Sequence, residues 1–341
     1  MQYCKARLDR SYSSAEHGDQ VRSRGLILTT ARATYRLDVR LVPKKRPCTM
    51  SGDEANRWTP EAYHHLDVPT HSSRLHVVRG GSGPPLVLLA GWPQTWLAWR
   101  HVLVPLSHHF EVLAIELRGQ GDSEIVDSGY DTAVASDDIV KVLTSLNIER
   151  AFVIGHDVGA WVAFTLIRDH MDRVLGGGLL DAAIPGLVGP NFFAPANAQK
   201  VWQFYFHAQP ELAATLVEGK EAIYLGWYFA HKCFTPNAIP PEIATSYVAS
   251  YSRPRAMWAG FRWYADLAET IKATTLGGNA RLELPLFALG GEHATGDLLL
   301  KSLAPFGDDL QGEILAGCGH YIPEERPDAV VAWACKRFLK G

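Results

Sequence analysis

The chain has 341 residues, of which 47% are hydrophobic and 20% are charged, so it can bury a large apolar core. Its formal net charge of −3 gives no reason to expect a nucleic-acid partner. No apolar run reaches the roughly 18 residues that a membrane-spanning helix needs. The five cysteines are scattered, and the histidines lack metal-ligand spacing, which indicates neither a disulfide framework nor a metal site. We therefore expect a cytoplasmic globular protein without metal or cofactor.

The first fifty or so residues differ from the rest because they are rich in arginine and poor in acids. They lack the apolar stretch of a secretory signal, and their Arg- and Ser-rich composition leaves organelle targeting as one alternative. An over-long gene model, with Met50 as the natural start, is the other alternative. We predict that residues 1–58 form a basic extension without fixed structure.

From about residue 60, short apolar runs alternate with helical patterns. Such alternation is typical of a mostly parallel sheet with helices on both faces. We predict strands, in chain order, at 62–68, 74–78, 85–90, 110–117, 151–154, 174–180, 284–289 and 312–315. The first two strands should be antiparallel. Helices are predicted at 95–108, from 131 to about 146, after residue 159 and at the end of the chain.

Between residues 186 and 282 the alternation stops, and the sequence becomes mostly helical and rich in aromatic side chains. We interpret 186–282 as a helical cap inserted into an α/β core that consists of 59–185 and 283–341. Open α/β sheets bind ligands outside the carboxyl ends of their strands, so the cap should cover that edge. A few cap aromatics should line a pocket there, while most pack the core.

The strand at 151–154 leads directly into Gly155-His-Asp-Val-Gly159, a Gly-x-nucleophile-x-Gly pattern between a strand and a helix. The central residue is Asp157 rather than serine. A plain helix N-cap would also explain Gly-x-Asp, but it would not explain the partner residues found further along the chain. A carboxylate suits displacement at a saturated carbon. That step leaves an alkyl ester on Asp157, which water must then hydrolyse.

Hydrolysis of the ester needs a general base and an oxyanion hole. His320, in a Gly-Cys-Gly-His motif after the last strand, is the predicted base. The predicted oxyanion donors are the backbone N–H groups of Trp92 and Val158. Two carboxylates could orient the histidine, namely Asp181 at the end of its strand and Glu292 in a later loop. We favour Asp181 because it combines a carboxylate with a strand-end position.

Together these residues resemble the epoxide hydrolase and haloalkane dehalogenase branch of the α/β-hydrolase superfamily, over roughly residues 60–340. The motifs that carry the resemblance are Gly91-Trp-Pro-Gln-Thr-Trp96, Arg118-Gly-x-Gly-x-Ser123, Gly155-His-Asp-Val-Gly159 and Gly317-Cys-Gly-His320. The resemblance implies the α/β-hydrolase fold, with a mostly parallel eight-stranded sheet. The segment 181–185 is similar to the strand-end acid segment of a bacterial epoxide hydrolase subgroup, which supports Asp181.

The resemblance also implies roles for residues in the cap. Epoxide hydrolases use a cap Tyr, with a second Tyr or a His, to donate hydrogen bonds to the epoxide oxygen. Tyr264 matches the first position, and Gln203 stands where the subgroup has His. Gln203 can donate through its amide but cannot donate a proton as an acid. Trp202 and Trp161 are expected to contact the substrate.

Three functions are compatible with these residues. The leading hypothesis is an epoxide hydrolase that acts on a small hydrophobic substrate with water. The second is a dehalogenase, although Val158 stands where haloalkane dehalogenases carry Trp, and no Arg follows the nucleophile as in fluoroacetate dehalogenases. The third is a ligand-binding protein that has lost catalysis, because Ala90 replaces the usual His and Gln203 is atypical. The oligomeric state stays open, with a homodimer as one alternative.

Overall fold

The computed structural model describes residues 24–29, 34–39, 63–276, 278 and 281–339. The chain divides into two compact units, Met1–Arg46 and Pro47–Gly341. In the first unit, strand β1 (Arg24–Thr29) pairs antiparallel with β2 (Thr34–Val39). The prediction that residues 1–58 lack fixed structure does not hold for these two strands. The rest of that extension lies outside the described residues.

Eight strands form one sheet in the second unit. They are β3 (His64–Pro69), β4 (Arg74–Gly81), β5 (Pro85–Leu89), β6 (Glu111–Ile115), β7 (Ala151–His156), β8 (Val174–Leu180), β9 (Leu286–Gly291) and β10 (Leu310–Leu315). Their order across the sheet is β10-β9-β8-β7-β5-β6-β4-β3. Strand β4 runs antiparallel to β3 and β6, and all other neighbours are parallel. The predicted α/β-hydrolase sheet is confirmed.

Helices cover the inner strands of this sheet. Strands β7 and β9 are buried along their whole length, as is typical of parallel strands packed between helices. The core helices are α1 (Arg100–Ser107), α2 (Thr132–Ser145), α3 (Val158–Asp169), α10 (Leu298–Leu303), α11 (Ile322–Glu325) and α12 (Pro327–Phe338). Asp131 caps α2, as predicted, because its Oδ1 accepts from the backbone N–H groups of Ala133 and Val134 at 3.0 Å each.

The chain between β8 and β9 is helical, and we call residues 186–282 the cap. Its helices are α4 (Ala198–His207), α5 (Pro210–Val217), α6 (Glu221–Lys232), α7 (Pro241–Tyr251), α8 (Ala256–Ala265) and α9 (Leu267–Thr275). Trp92, which follows β5, packs its ring 4.7 Å from His207 and 5.1 Å from Tyr228. The cap therefore lies over the carboxyl end of β5. In the described part of the chain, no helix has the length and apolar character that crossing a membrane requires.

Candidate active site

Asp157 stands at a strained turn between β7 and α3, which we call the elbow. Its φ of 53° and ψ of −121° lie in a region that non-glycine residues rarely adopt. The flanking glycines let the turn close against the sheet. A Cβ on Gly155 would lie 2.2 Å from the carbonyl oxygen of Gly159, and a Cβ on Gly159 would lie 2.1 Å from that of Leu89. The Gly-x-Asp-x-Gly pattern is thus explained by close backbone approach as well as by the strained turn.

His320 lies between two carboxylates. Its Nδ1 is 2.8 Å from Asp181 Oδ1, and its Nε2 is 3.5 Å from Asp157 Oδ2. The other oxygen of Asp181 accepts from the backbone N–H of Gly291 at 2.7 Å and from the hydroxyl of Thr295 at 2.9 Å. These bonds fix the Asp181 carboxylate, which in turn fixes the imidazole ring.

Glu292, the alternative acid, does not reach His320. Its carboxylate accepts from the backbone N–H of Gly317 at 2.9 Å and lies 3.5 Å from His293 Nε2. The side chain is about half exposed, whereas that of Asp181 is fully buried. The structure therefore brings Asp181, and not Glu292, to His320.

The two carboxylates control the charge of His320. Burial alone would lower its pKa, but the hydrogen bonds and charges of Asp157 and Asp181 outweigh burial and raise the pKa to about 9. Burial also opposes ionisation of Asp157, and the hydrogen bond and charge of His320 outweigh it, so the pKa of Asp157 is lowered. At neutral pH the resting site contains an ionised Asp157 beside a protonated His320.

One of the two predicted oxyanion donors contacts the Asp157 carboxylate. Trp92 donates its backbone N–H to Asp157 Oδ1 at 3.0 Å. A Cβ on Gly91 would lie only 2.3 Å from Asp157 Cβ, so this approach requires glycine. Val158 is the first residue of α3, where N–H groups have no partner within the helix. Trp92 therefore already contacts Asp157, and the role of Val158 as the second oxyanion donor stays a prediction.

Tyr264, on α8, belongs to an aromatic cluster with Trp92 and Trp161, and the backbone N–H of Trp92 contacts Asp157. Its ring centroid is 6.1 Å from that of Trp92 and 5.8 Å from that of Trp161. Burial and the charge of Asp157 raise the pKa of Tyr264 well above its usual value. The phenol therefore stays protonated at neutral pH, and it can donate a hydrogen bond.

The other two predicted substrate contacts lie on α4. Gln203 is buried, and its Oε1 has no hydrogen-bond partner among the described residues. Trp202 stacks on Tyr228, with ring centroids 5.8 Å apart, and meets Trp227 edge-on at 5.4 Å. Trp202 thus packs within the cap, and direct contact of Trp202 or Gln203 with a substrate stays a prediction.

His207 is a site residue that the sequence reasoning missed. It is fully buried, and its ring centroid lies 4.5 Å from Tyr264, 4.7 Å from Trp92 and 4.2 Å from Phe261. It follows Gln203 by four residues, so both project from one face of α4. That spacing was the available signal for His207. It places a histidine one helical turn after Gln203, the position where the bacterial epoxide hydrolase subgroup has its His.

His207 starts a chain of polar groups in the cap. Its Nε2 is 2.6 Å from the hydroxyl of Tyr224, which is 3.3 Å from the hydroxyl of Tyr228. Burial and the positive charge of Lys232 lower the pKa of His207, so this imidazole is neutral at neutral pH. Burial raises the pKa of both tyrosines. These residues are neutral hydrogen-bonding groups beside the aromatic cluster.

Lys232, the last residue of α6, was also missed. Its carbonyl oxygen accepts from the backbone N–H of His320 at 2.8 Å, and its Nζ lies 5.4 Å from the ring centroid of Tyr228. No sequence signal distinguishes it, since a lysine in the last turn of a helix is ordinary.

One group of potential metal ligands occurs in the described part of the chain. His76, Glu116 and Asp122 bring three ligand atoms within 4.8 Å of one another. His76 Nδ1 lies 2.8 Å from Glu116 Oε2, and His76 Nε2 lies 2.8 Å from His65 Nδ1. Because the two ring nitrogens of His76 already have protein partners, we assign no metal to this group.

The chain is similar in sequence and in structure to known α/β hydrolases. The sequence profile described as "Alpha/beta hydrolase family" matches residues 86–333. Soluble epoxide hydrolase from Corynebacterium sp. (strain C12) is 35% identical over 284 residues, which cover 80% of this chain and 96% of that protein. A solved structure titled "Epoxide hydrolase CorEH without ligand" superposes with a TM-score of 0.75 at 33% identity, covering 81% of this chain and 98% of that one. Fluoroacetate dehalogenase from Burkholderia sp. is 30% identical over 190 residues, covering 54% of this chain and 62% of that protein.

Proposed function

This chain belongs to the α/β hydrolase family and is an epoxide hydrolase-like enzyme, and on that premise we propose that it opens epoxides to vicinal diols through an ester on Asp157. The observation that carries the proposal is the position of the Asp157 carboxylate at the elbow. It lies 3.0 Å from the Trp92 backbone N–H and 3.5 Å from His320 Nε2. A carboxylate so placed can attack a carbon, and His320 is close enough to act as the base in the hydrolysis that must follow, once it has lost its proton.

In the first step, an oxygen of Asp157 attacks an epoxide carbon. The new carbon–oxygen bond forms as the ring carbon–oxygen bond breaks, and the ring oxygen takes the electron pair. Tyr264 donates a hydrogen bond to that oxygen as charge develops, because its raised pKa keeps the phenol protonated. The product of this step is a neutral ester at Asp157.

In the second step, His320 becomes the base. Ester formation removes one of the two negative charges that raise the pKa of His320, so its proton is released more readily. That proton passes to the opened epoxide oxygen, which becomes a neutral hydroxyl group. Neutral His320 then takes a proton from water, whose oxygen attacks the ester carbonyl carbon. The N–H groups of Trp92 and Val158 stabilise the resulting oxyanion. When this intermediate collapses, the departing diol oxygen takes the proton of the added hydroxyl group, which restores the Asp157 carboxylate and leaves His320 protonated as in the resting site.

The test uses a variant in which the ester should accumulate. His320→Gln should form the ester on Asp157 but hydrolyse it slowly. Mass spectrometry of the intact protein and of the Asp157 peptide should show one added epoxide mass. The double variant His320→Gln with Asp157→Asn is the matched control and should show none. Absence of an adduct on Asp157 across a panel of reactive epoxides would contradict the proposal. Tight ligand binding that survives Asp157→Asn, together with no turnover of any epoxide or organohalide by the wild type, would instead favour a ligand-binding protein that has lost catalysis.

Dehalogenation is the second candidate for the same nucleophile. The indole N–H groups of Trp92 and Trp161 are buried without a hydrogen-bond partner among the described residues, so they could serve as halide donors. The similarity to a fluoroacetate dehalogenase points the same way. Halide release from haloalkanes or haloacids that exceeds diol formation from epoxides, at equal enzyme concentration, would select this alternative.

The relatives indicate that the substrate is a small molecule that reacts with water. We propose that its body is hydrophobic, because Trp92, whose backbone N–H contacts Asp157, packs against the rings of Tyr264 and Tyr228. Cytoplasmic location and a homodimer stay predictions.

A further inference from the structure

The catalytic base is held by its backbone as well as by its side chain. His320 belongs to the loop between β10 and α11, residues 316–321, which we call the base loop. Its backbone N–H donates to the carbonyl oxygen of Lys232, the last residue of cap helix α6, at 2.8 Å. Its carbonyl oxygen accepts from Nε2 of His156, the last residue of β7, at 2.8 Å. The imidazole is therefore positioned by the cap as well as by the sheet.

The carboxylate of Glu325 joins the base loop to the cap. Glu325 is the last residue of α11 and is buried. Its Oε2 accepts from the backbone N–H groups of Phe234 and Thr235, at 2.8 Å each, and from that of Gly319 at 3.1 Å. Its Oε1 accepts from the backbone N–H of Tyr321 at 3.3 Å. One side chain thus binds two residues of the cap and both sequence neighbours of the catalytic base.

The base loop and the cap meet at Gly319 with no room for a side chain. A Cβ on Gly319 would lie 2.4 Å from the carbonyl oxygen of Lys232 and 2.5 Å from the backbone nitrogen of Phe234. It would also lie 2.8 Å from Glu325 Oε1. Only glycine permits this approach. The second glycine of the Gly-Cys-Gly-His motif is therefore explained by the contact that Glu325 bridges.

The hydrolytic step is sensitive to where the imidazole lies. His320 Nδ1 is 2.8 Å from Asp181, and its Nε2 must reach a water molecule beside the ester on Asp157. A displacement of about 1 Å is enough to slow such a step by about 10²-fold. Because the neighbours on both sides of His320 donate to Glu325, that carboxylate sets the orientation of the peptide groups from which the imidazole projects.

We propose that Glu325 is a positioning residue for the base, and that it fixes the imidazole of His320 between Asp181 and Asp157 by holding the base loop against the cap. The reach of the side chain, rather than its charge, carries this role, since three backbone donors converge on one oxygen. The inference rests on the proposed function, because the step that Glu325 serves is hydrolysis of the ester. Attack by Asp157 does not use the base and should not depend on Glu325.

Two substitutions separate reach from charge. Glu325→Gln keeps the length of the side chain and one acceptor oxygen. That oxygen can face the three donors, so only the N–H of Tyr321 loses its acceptor. Glu325→Asp keeps a carboxylate but is one methylene shorter, and it cannot hold the base loop and the cap together. Glu292→Gln is the control, because Glu292 accepts from the backbone N–H of Gly317, in the base loop but not adjacent to the base.

Rapid-quench mass spectrometry measures ester formation and ester hydrolysis separately. Glu325→Asp should lower the rate constant for hydrolysis by about 10²-fold and leave that for ester formation nearly unchanged. Glu325→Gln should lower hydrolysis by less than about tenfold, the effect of one lost hydrogen bond, and Glu292→Gln should match the wild type. A substitution that only destabilised the fold would reduce the amount of ester formed and leave both rate constants unchanged. That result for Glu325→Asp, or an equal loss in both steps, would overturn the inference.

NMR titration of the His320 imidazole gives a readout that needs no turnover. Burial lowers the pKa of this group, and its bonds to Asp157 and Asp181 raise it to about 9. Glu325→Asp should bring the pKa back toward 6.5, because the ring moves away from the two carboxylates, whereas Glu325→Gln should leave it near 9. An equal fall in both variants would mean that charge acts, and an unchanged pKa in Glu325→Asp would mean that the ring is not held by Glu325. Either result would refute the positioning role and leave the proposed function standing. If the wild type reacts with no epoxide and no adduct forms, the proposed function fails, and the titration alone decides the role of Glu325.

Discussion

The Asp181 carboxylate uses its two oxygens for different partners, so replacement by asparagine has a definite structural cost. One oxygen accepts from His320 Nδ1 at 2.8 Å, and the other accepts from the backbone N–H of Gly291 at 2.7 Å and the hydroxyl of Thr295 at 2.9 Å. An amide has a single acceptor oxygen. If that oxygen faces Gly291, the amide N–H₂ faces His320 and imposes the wrong tautomer; if it faces His320, two donors meet at Gly291.

The expected loss follows from the step that needs the base. Asp181→Asn removes one of the charges that raise the pKa of His320 and disturbs its tautomer, so ester hydrolysis should slow by about 10³- to 10⁴-fold. Attack by Asp157 does not use the base, so ester formation should slow far less. Rapid-quench mass spectrometry should therefore show the ester as the dominant enzyme form at steady state.

Glu292→Gln is the matched control for this prediction. Glu292 is about half exposed and accepts from the backbone N–H of Gly317, so its loss should change turnover by less than about twofold. The reasoning would be refuted if Asp181→Asn kept turnover within tenfold of wild type while Glu292→Gln lost it.

Three further predictions concern the cap, the titration of the base and the elbow. Tyr264→Phe should slow ester formation by about 10²-fold, as pre-steady-state adduct formation would show, and an unchanged rate would remove Tyr264 from the first step. Because the folded pKa of His320 is raised from 6.5 to about 9, its ionisation stabilises the fold fully below pH 6.5. That contribution, about 3 kcal/mol at most, should vanish as pH rises through 9, and denaturant titration of His320→Gln should lack this loss. Gly159→Ala should destabilise the protein by more than about 2 kcal/mol in thermal unfolding, because its Cβ would lie 2.1 Å from a backbone oxygen of Leu89; an unchanged midpoint would refute the tight elbow.

Local sequence patterns were sufficient to predict the site residues that the strands of the sheet position. The elbow around Asp157 needs glycines at fixed spacing, and the strand ends that carry Asp181 and His320 meet at one edge because the strands are parallel. Because these constraints produce short motifs, the sequence could predict which side chains come together at this edge of the sheet. Strand positions followed for the same reason, since buried parallel strands read as continuous apolar runs.

The cap was harder because its contacts depend on how helices pack on the sheet. Helical periodicity predicted that 186–282 would be helical, but it did not say which face of α4 or α6 meets Trp92. His207 and Lys232 reach the site through that packing, and both were missed. Gln203 was identified from its position in a familiar motif, whereas His207, one turn later, is the residue that contacts Tyr264.

The most direct test of the ester at Asp157 is a single turnover in water enriched in ¹⁸O, with enzyme in excess over epoxide. If Asp157 attacks the epoxide, the new diol oxygen comes from the carboxylate, and the water oxygen enters Asp157. Mass spectrometry should then find unlabelled diol and ¹⁸O in the peptide that contains Asp157. Labelled diol from the first turnover, with no label in that peptide, would mean that water attacks the epoxide directly and would contradict the proposed mechanism.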